Sequence, residues 1–277
     1  MKKTVELAVF AGKAPLILEY CETEFSVSEN TGVNRYDRYK ISFLFTDGIH
    51  AVVDDRPLSC AAGDVLFFHP DEIHFGRITR SGIQKYLDLL IPPDFFEVFA
   101  APPKAVTEML SRPPAGNRLR PRGQEGAELW EEVTALKDRA LEGGEGDLGF
   151  RALMLICRLA EMGKREERLP PAEALPPCVS VALQYISRHY AEKVTLARIA
   201  QEAYCSVTHL TKTFRKTVGC TVGEQLTDYR LAVAKRLLDG GKSVAEVCYE
   251  CGFGDSSHFI RTFRKKNGIT PYEYKKR

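Results

Sequence analysis

The side chains able to do metal or covalent chemistry are scattered along the chain. Eight cysteines stand at 21, 60, 157, 178, 205, 220, 248 and 251. Only Cys248 and Cys251 form a C-x-x-C, and no second pair completes a zinc set. One helical turn apart, they read as small core residues. A different chemistry has a pattern. Thr213-Phe214-Arg215-Lys216-x-x-Gly219 recurs as Thr262-Phe263-Arg264-Lys265-x-x-Gly268, at an offset of 49 residues. Each copy carries guanidinium, ammonium and hydroxyl groups, which bond phosphates and base edges, beside phenylalanines that read as core.

Such groups need helices to present them. Leu196, Ile199 and Ala200 correspond to Val244, Val247 and Cys248 at an offset of 48. In each copy a short helix precedes a break, around Tyr204–Ser206 or Gly252–Asp255. A second helix follows, with a spine of Leu210 and Phe214 or of Phe259 and Phe263. Thr221-x-x-Glu224, Ser243-x-x-Glu246 and Thr270-x-x-Glu273 are capping boxes that start helices. Pro271 sits at a first helical position, where its missing N–H costs nothing. Gly252 suits a left-handed turn, and Tyr204 is expected to pack at the equivalent turn. A short helix, a tight turn and a second helix describe a helix-turn-helix. A major groove admits one such helix, so two units joined by a long helix, Thr221–Leu238, can enter successive grooves roughly 34 Å apart.

Charge follows this division. From Val179 onward there are 17 Lys+Arg and 9 Asp+Glu, a net of +8, which leaves −6 for the rest of a chain whose total is +2. A basic half joined to an acidic half points to one half meeting a polyanion.

These residues carry a specific resemblance. Arg230-Leu231-x-x-Ala234-Lys235-x-Leu237-Leu238 resembles the linker-helix motif of the AraC/XylS family of transcription regulators. Val247…Cys251-Gly252-Phe253…Ser257-His258-Phe259-x-Arg261-x-Phe263-Arg264…Gly268-x-Thr270-Pro271-x-x-Tyr274 resembles its signature, and the likeness covers 179–277. The resemblance implies that Thr208, Thr211 and Lys212 in the first unit, and Ser257, His258 and Arg261 in the second, face the bases. Arg261 has the fork geometry for guanine. Lys216, Arg264, Lys265 and Lys266 are placed for phosphates, and Thr195 and Ser243 stand at helix starts that suit them too. The resemblance also implies double-stranded DNA and RNA polymerase as partners, control of transcription as activator or repressor, and a homodimer formed through helices at 127–164. Leu129, Val133, Leu136 and Ala140 supply a stripe for that interface; the alternative is that the stripe packs on its own domain.

Residues 1–100 read as short strands, including Ile41–Thr46, Ala51–Val53, Val65–Phe68 and Tyr86–Ile91, separated by turn signals. Gly63-Asp64-Val65-Leu66-Phe67-Phe68-x-Pro70-x-Glu72-x-His74 resembles the middle of a cupin barrel. Enzymatic cupins hold a metal with an H-x-H pair, a Glu and a further His. The corresponding segment here is Asn34-Arg35-Tyr36-Asp37-Arg38-Tyr39, without histidine. We therefore expect no metal, no cofactor and no catalytic residue. The alternative, a cupin-type metal-dependent enzyme with an appended helical domain, lacks its ligands. A small barrel still encloses a small molecule. Arg38, Tyr39, His74 and Tyr86 are the candidate effector contacts, and Arg35 and Arg38 favour an anionic or sugar-like effector.

The expected fold class is α+β with two domains: an antiparallel cupin-like β-barrel with helices, then an all-α double helix-turn-helix. The expected divisions are 1–100 for the effector-binding barrel and 101–167 for a helical dimerisation segment. A Pro-rich linker at 168–178 and the DNA-binding domain at 179–277 follow. The start, MKKTVELAVFAGK, is a poor signal peptide, and no apolar stretch is long enough for a membrane, so a cytoplasmic protein is expected.

Overall fold

The computed structural model describes residues 2–276, apart from 8, 10–13, 27–37, 54–55, 71, 73, 99–102, 112–116, 144–145 and 165–174. Arg35 and most of the expected linker lie outside the described residues.

The N-terminal half holds strands β1 (Lys2–Leu7), β2 (Leu16–Phe25), β3 (Tyr39–Leu44), β4 (Ile49–Val53), β5 (Arg56–Leu58), β6 (Val65–Phe68), β7 (His74–Ile78) and β8 (Gly82–Ile91). After a 3-10 turn at Phe95–Val98 come α1 (Lys104–Ser111), β9 (Arg118–Leu119), α2 (Gly123–Glu142) and α3 (Leu148–Gly163). One antiparallel sheet has the order β1-β2-β8-β3-β6-β9, and a second has β5-β4-β7. The expected closed barrel is thereby corrected. Among the described residues no ladder joins the two sheets, because β4 pairs with β5 and β7 rather than with β3 or β8. They form an open sandwich.

The larger sheet is buried on both faces, so its strands read as near-continuous apolar runs such as VLFF. Period two sorts its side chains. Leu16, Leu18, Tyr20, Ile41, Phe43, Val65, Phe67, Leu87 and Leu89 join one core with Val106, Leu129, Val133, Leu136, Leu155, Ile156 and Leu159 of the helices. The core therefore does not divide at residue 100. The stripe Leu129, Val133, Leu136 and Ala140 is no more than 5% exposed. Burial on its own domain consumes the face assigned to a dimer, which corrects that expectation. The fully buried Asp64 carboxylate ties the helical layer down. It accepts two bonds from the Arg120 guanidinium, at 2.6 and 2.7 Å, and one from the Ala61 amide.

The C-terminal half is all helical: α4 (Pro177–His189), α5 (Leu196–Glu202), α6 (Val207–Val218), α7 (Val222–Asp239), α8 (Val244–Glu250), α9 (Ser256–Asn267) and α10 (Pro271–Tyr274). Val179, Ile186, Phe214, Val233, Val247, Phe259 and Phe263 share its core. That core also takes in Val52 and Phe75. These lie opposite each other on β4 and β7, so the small sheet packs against the helical half. Among the described residues no helix is long and apolar enough to cross a membrane.

Candidate nucleic-acid interface

The sequence repeat is a structural repeat. The helix pairs α5–α6 and α8–α9 are the two helix-turn-helix units, with α7 between them. The turn bonds match at an offset of 48: the Tyr204 and Gly252 amides donate to Gln201 and Tyr249, and those of Cys205 and Phe253 donate to Ala200 and Cys248. The turn needs one left-handed residue, Tyr204 (φ +49°) in the first unit and Gly252 (φ +73°) in the second. Tyr204 is 97% exposed, which corrects the expectation that it packs there.

Caps fix where each helix starts. All three expected capping boxes form, with Thr221, Ser243 and Thr270 each exchanging bonds with the glutamate three residues on. Thr195 and Ser206 cap α5 and α6. Asp255 caps α9 by accepting from the Ser257 and His258 amides. These amide bonds hold the carboxyls of Glu224, Asp255 and Glu273 below their ordinary values; for Glu246 the Ser243 hydroxyl is the leading cause, with the Ser243 amide second. A carboxyl with a depressed folded pKa stabilises above its unfolded pKa and loses that contribution as pH falls through the folded value. Thermal unfolding between pH 7 and pH 3 should show stability lost below about pH 4, near the unfolded carboxylate range. The Glu224→Gln/Glu273→Gln variant should lose less over that range, since an amide does not titrate. An equal loss in both proteins would show that these caps do not carry the acid sensitivity.

Each second helix buries one side and exposes the other. Leu210, Phe214 and Val218 on α6, and Phe259 and Phe263 on α9, are at most 1% exposed. On the open side stand Thr208, Lys212 and Lys216, and in the second unit Ser257, His258, Arg261, Arg264 and Lys265. Lys212, Lys216, Arg261, Arg264 and Lys265 form no ion pair with another described residue. Lys266, expected at a phosphate, is instead paired with Asp228 of α7 at 2.8 Å. Thr211 is half-buried and its hydroxyl donates to the Val207 carbonyl, so only its methyl is offered. At an offset of 49 the partner of His258 is His209, which is exposed. The sequence reading passed over His209, and the repeat offset was the signal that marks it. Cys248 and Cys251 are buried. Burial pushes the Cys251 thiol up to about 12.

A second site lies between the two sheets, a cavity of about 280 Å³. His74 and Tyr86 line it. Arg38 and Tyr39 do not: the Arg38 guanidinium donates to the Pro15 carbonyl, and Tyr39 meets His69 edge to face. The floor is the inner face of the large sheet, with Lys40, Ser42 and Asp88 at its centre. The roof is the small sheet, through Ile49, Ala51 and Gly76. Lys40 Nζ stands 2.8 Å from Asp88, which also accepts from Ser42 Oγ at 2.5 Å. At the rim, Lys2 pairs with Glu19 at 2.9 Å. His74 is stacked on Phe68 at 3.9 Å. Burial, and then the charge of Lys40, push its pKa well below the ordinary imidazole value and keep the ring neutral. Among the described residues no group of three or more His, Cys, Asp or Glu is arranged to hold a metal ion.

Paired helix-turn-helix units with open cationic faces define a DNA-binding transcription regulator. Residues 199–277 match the family model described as a helix-turn-helix domain. Over most of its length the chain is similar to helix-turn-helix transcription regulators of the AraC/XylS type. It is 25% identical over 264 residues to the HTH-type transcriptional activator RhaS of Salmonella dublin, covering 94% of this chain and 92% of that protein. It is 41% identical over 93 residues to the transcriptional regulator YijO of Escherichia coli, 33% of each chain. Among solved structures, a DNA-binding transcriptional dual regulator from Escherichia coli K-12 is 34% identical over 38% of this chain and 96% of its own, with a TM-score of 0.35. ToxT from Vibrio cholerae, solved with an unsaturated fatty acid, is 13% identical over 94% of each chain, with a TM-score of 0.42. The relatives are regulators, and the alternative of a cupin-type enzyme is set aside.

Proposed function

We propose that this chain activates transcription in response to a small molecule held between its two sheets. In this reading α6 and α9 enter successive major grooves of one duplex. Thr208, His209, Lys212, Ser257, His258 and Arg261 face the bases, and Lys216, Arg264 and Lys265 neutralise phosphates. The observation that carries it is the pair of equally built units with open cationic faces. Recruitment of RNA polymerase, pairing of two copies and a cytoplasmic location belong to the same reading.

The cavity's charges cancel within it, Lys40 against Asp88 and Lys2 against Glu19. An anion would meet no uncompensated cation there. We assign the effector as a neutral, hydroxyl-rich molecule whose polar edge meets Ser42, Asp88, His74 and Tyr86, and whose apolar side meets Ile49, Ala51 and Leu66. The route to DNA is short. On β4 and β7, Ala51 and Gly76 face the cavity, while the alternate residues Val52 and Phe75 join the DNA-binding core. Across a second cleft, His50, Pro57 and Arg77 face Leu175, Pro176 and Thr217, the last on α6. Shifting this one-sheet wall changes how the DNA-binding half is held, and the effector selects among those positions.

Binding to the upstream region of its own gene, with salt varied, tests the first part. Lys216→Ala should weaken binding to all sequences alike and reduce the slope of log K against log salt by about one. A salt-independent affinity would overturn the reading. Thermal shift against a panel of neutral polyols and matched acids tests the second. Stabilisation by the acids alone would overturn the assignment of a neutral effector.

A further inference from the structure

Three parts of the DNA-binding half meet at one short loop. The loop is Tyr190–Glu192, between α4 and the first unit. From α7, Arg230 reaches it with both ends of its guanidinium: Nε donates to the Tyr190 carbonyl and Nη2 to the Glu192 carbonyl, each at 2.7 Å. The same guanidinium carbon lies 5.7 Å from the centre of the Phe253 ring, in the turn of the second unit. Phe253 is buried. Beside it, the Gly252 backbone closes directly on Ala191. A Cβ at position 252 would sit 2.6 Å from the Ala191 carbonyl oxygen. Tyr229, next to Arg230, packs its ring 5.2 Å from that of Tyr190. The second unit is also tied to α7 through Lys266 and Asp228.

We propose that Arg230 is a positioning residue which locks the two helix-turn-helix units into one rigid reader. It thereby fixes the only separation of half-sites the protein accepts. The proposal rests on the regulator reading above. It adds that the units are not beads on a flexible string. The chemistry needs arginine. A planar fork donates to two carbonyls two residues apart while its face covers an aromatic ring, and a lysine ammonium offers one point charge and no plane. The Tyr190 carbonyl it satisfies is at the C-cap of α4, the negative end of that helix, where a cation is favoured. Gly252 is the matching requirement on the other unit, because any side chain there wedges the turn away from the loop.

One inserted base pair moves a half-site by about 3.4 Å and rotates it by roughly 35° about the helix axis. A rigid reader cannot follow that change. The test uses the full chain and a duplex it selects from a randomised pool. Binding is measured on that duplex, on versions with one or two base pairs inserted or removed between the half-sites, and on a duplex keeping one half-site. Wild type should lose at least ~tenfold affinity for each one-base-pair change, the scale of a lost base-pair readout. Arg230→Lys should bind the single half-site as wild type does, bind the full site ~tenfold more weakly, and show a flattened spacing profile. Gly252→Ala should flatten or shift the profile in the same way. Thermal unfolding of each variant runs alongside, and if one unfolds, the wild-type profile and the other variant decide. A wild-type protein that accepts an inserted base pair overturns the clamp. So does a folded Arg230→Lys with the wild-type profile. A chain that selects no sequence at all overturns the regulator reading itself.

Discussion

Arg261→Ala is expected to weaken binding to the selected duplex by roughly ten- to a hundredfold and to erase preference at one base pair, the measure of a lost bidentate contact. Arg261 stands exposed on α9, on the side away from Phe259 and Phe263. It follows Ser257 by four residues and His258 by three, so the three share one face of the helix. Asp255 is occupied as the cap of α9, and among the described residues the Arg261 guanidinium closes no ion pair. The fork is therefore free to meet the two acceptors of a guanine. The loss should be selective. A panel of duplexes, each with one base pair changed, should show a flat response at a single position and an unchanged response elsewhere. The salt slope should fall by less than the unit expected of Lys216→Ala, since a base contact releases few counterions. Retention of wild-type preference at every position would remove Arg261 from the readers. His209→Ala and His258→Ala, tested on the same panel, should relax preference at positions in different half-sites.

The DNA-binding half was legible because its determinants are local. A capping box spans four residues, a helix spine repeats at three and four, and the duplication shows each feature twice. The same logic identifies Gly252, whose backbone meets Ala191. It failed at Tyr204, because the second copy's glycine marks a left-handed turn without saying whether a side chain there meets solvent, as at 204, or a neighbouring loop, as at 252. The offset of 49 also pairs the exposed His209 with His258. Arg230 was read as part of a motif, yet its partners lie 40 and 38 residues away, and nothing local announces them.

The N-terminal half was less legible for the same reason turned around. Strand β2 alternates Glu19, Cys21 and Thr23 with Leu16, Leu18 and Tyr20, but which face is core depends on pairing with β8, whose partners lie far along the chain, as Ile17 with Leu90. Whether a stripe such as Leu129, Val133, Leu136 and Ala140 faces a partner or its own sheet is likewise a tertiary question. Among the candidate effector contacts, His74 and Tyr86 lie on the cavity, whereas Arg38 precedes and Tyr39 begins the strand that supplies Lys40 and Ser42. The central polar group, Lys40 with Asp88, joins residues 48 apart through the ladder that sets Ser42 opposite Asp88. Charged residues at those positions in apolar strands were the available signal.

Lys40→Met is expected to produce the largest loss of stability among the single changes in the cavity, about 3–5 kcal/mol, because it leaves Asp88 buried without its cation. The side chains of Lys40 and Asp88 are 9% and 3% exposed, so water compensates poorly for the lost partner. The Ser42 hydroxyl remains as a donor and limits the damage. Thermal or denaturant unfolding measures the loss, and a fall in stability no larger than that of an exposed pair would show that the carboxylate is already solvated or neutral. Stability alone does not separate a structural ion pair from an effector site, and the double variant Lys40→Met/Asp88→Leu does. Removing both charges together should restore most of the stability, since an apolar pair tolerates the same surroundings. If Asp88 and Lys40 also hold the hydroxyls of the effector, the restored double variant should show no thermal shift with the polyol that stabilises wild type, and its DNA binding should no longer respond to that molecule. A double variant that is stable and still responds would keep the ion pair as architecture and move the effector's polar contacts to His74 and Tyr86.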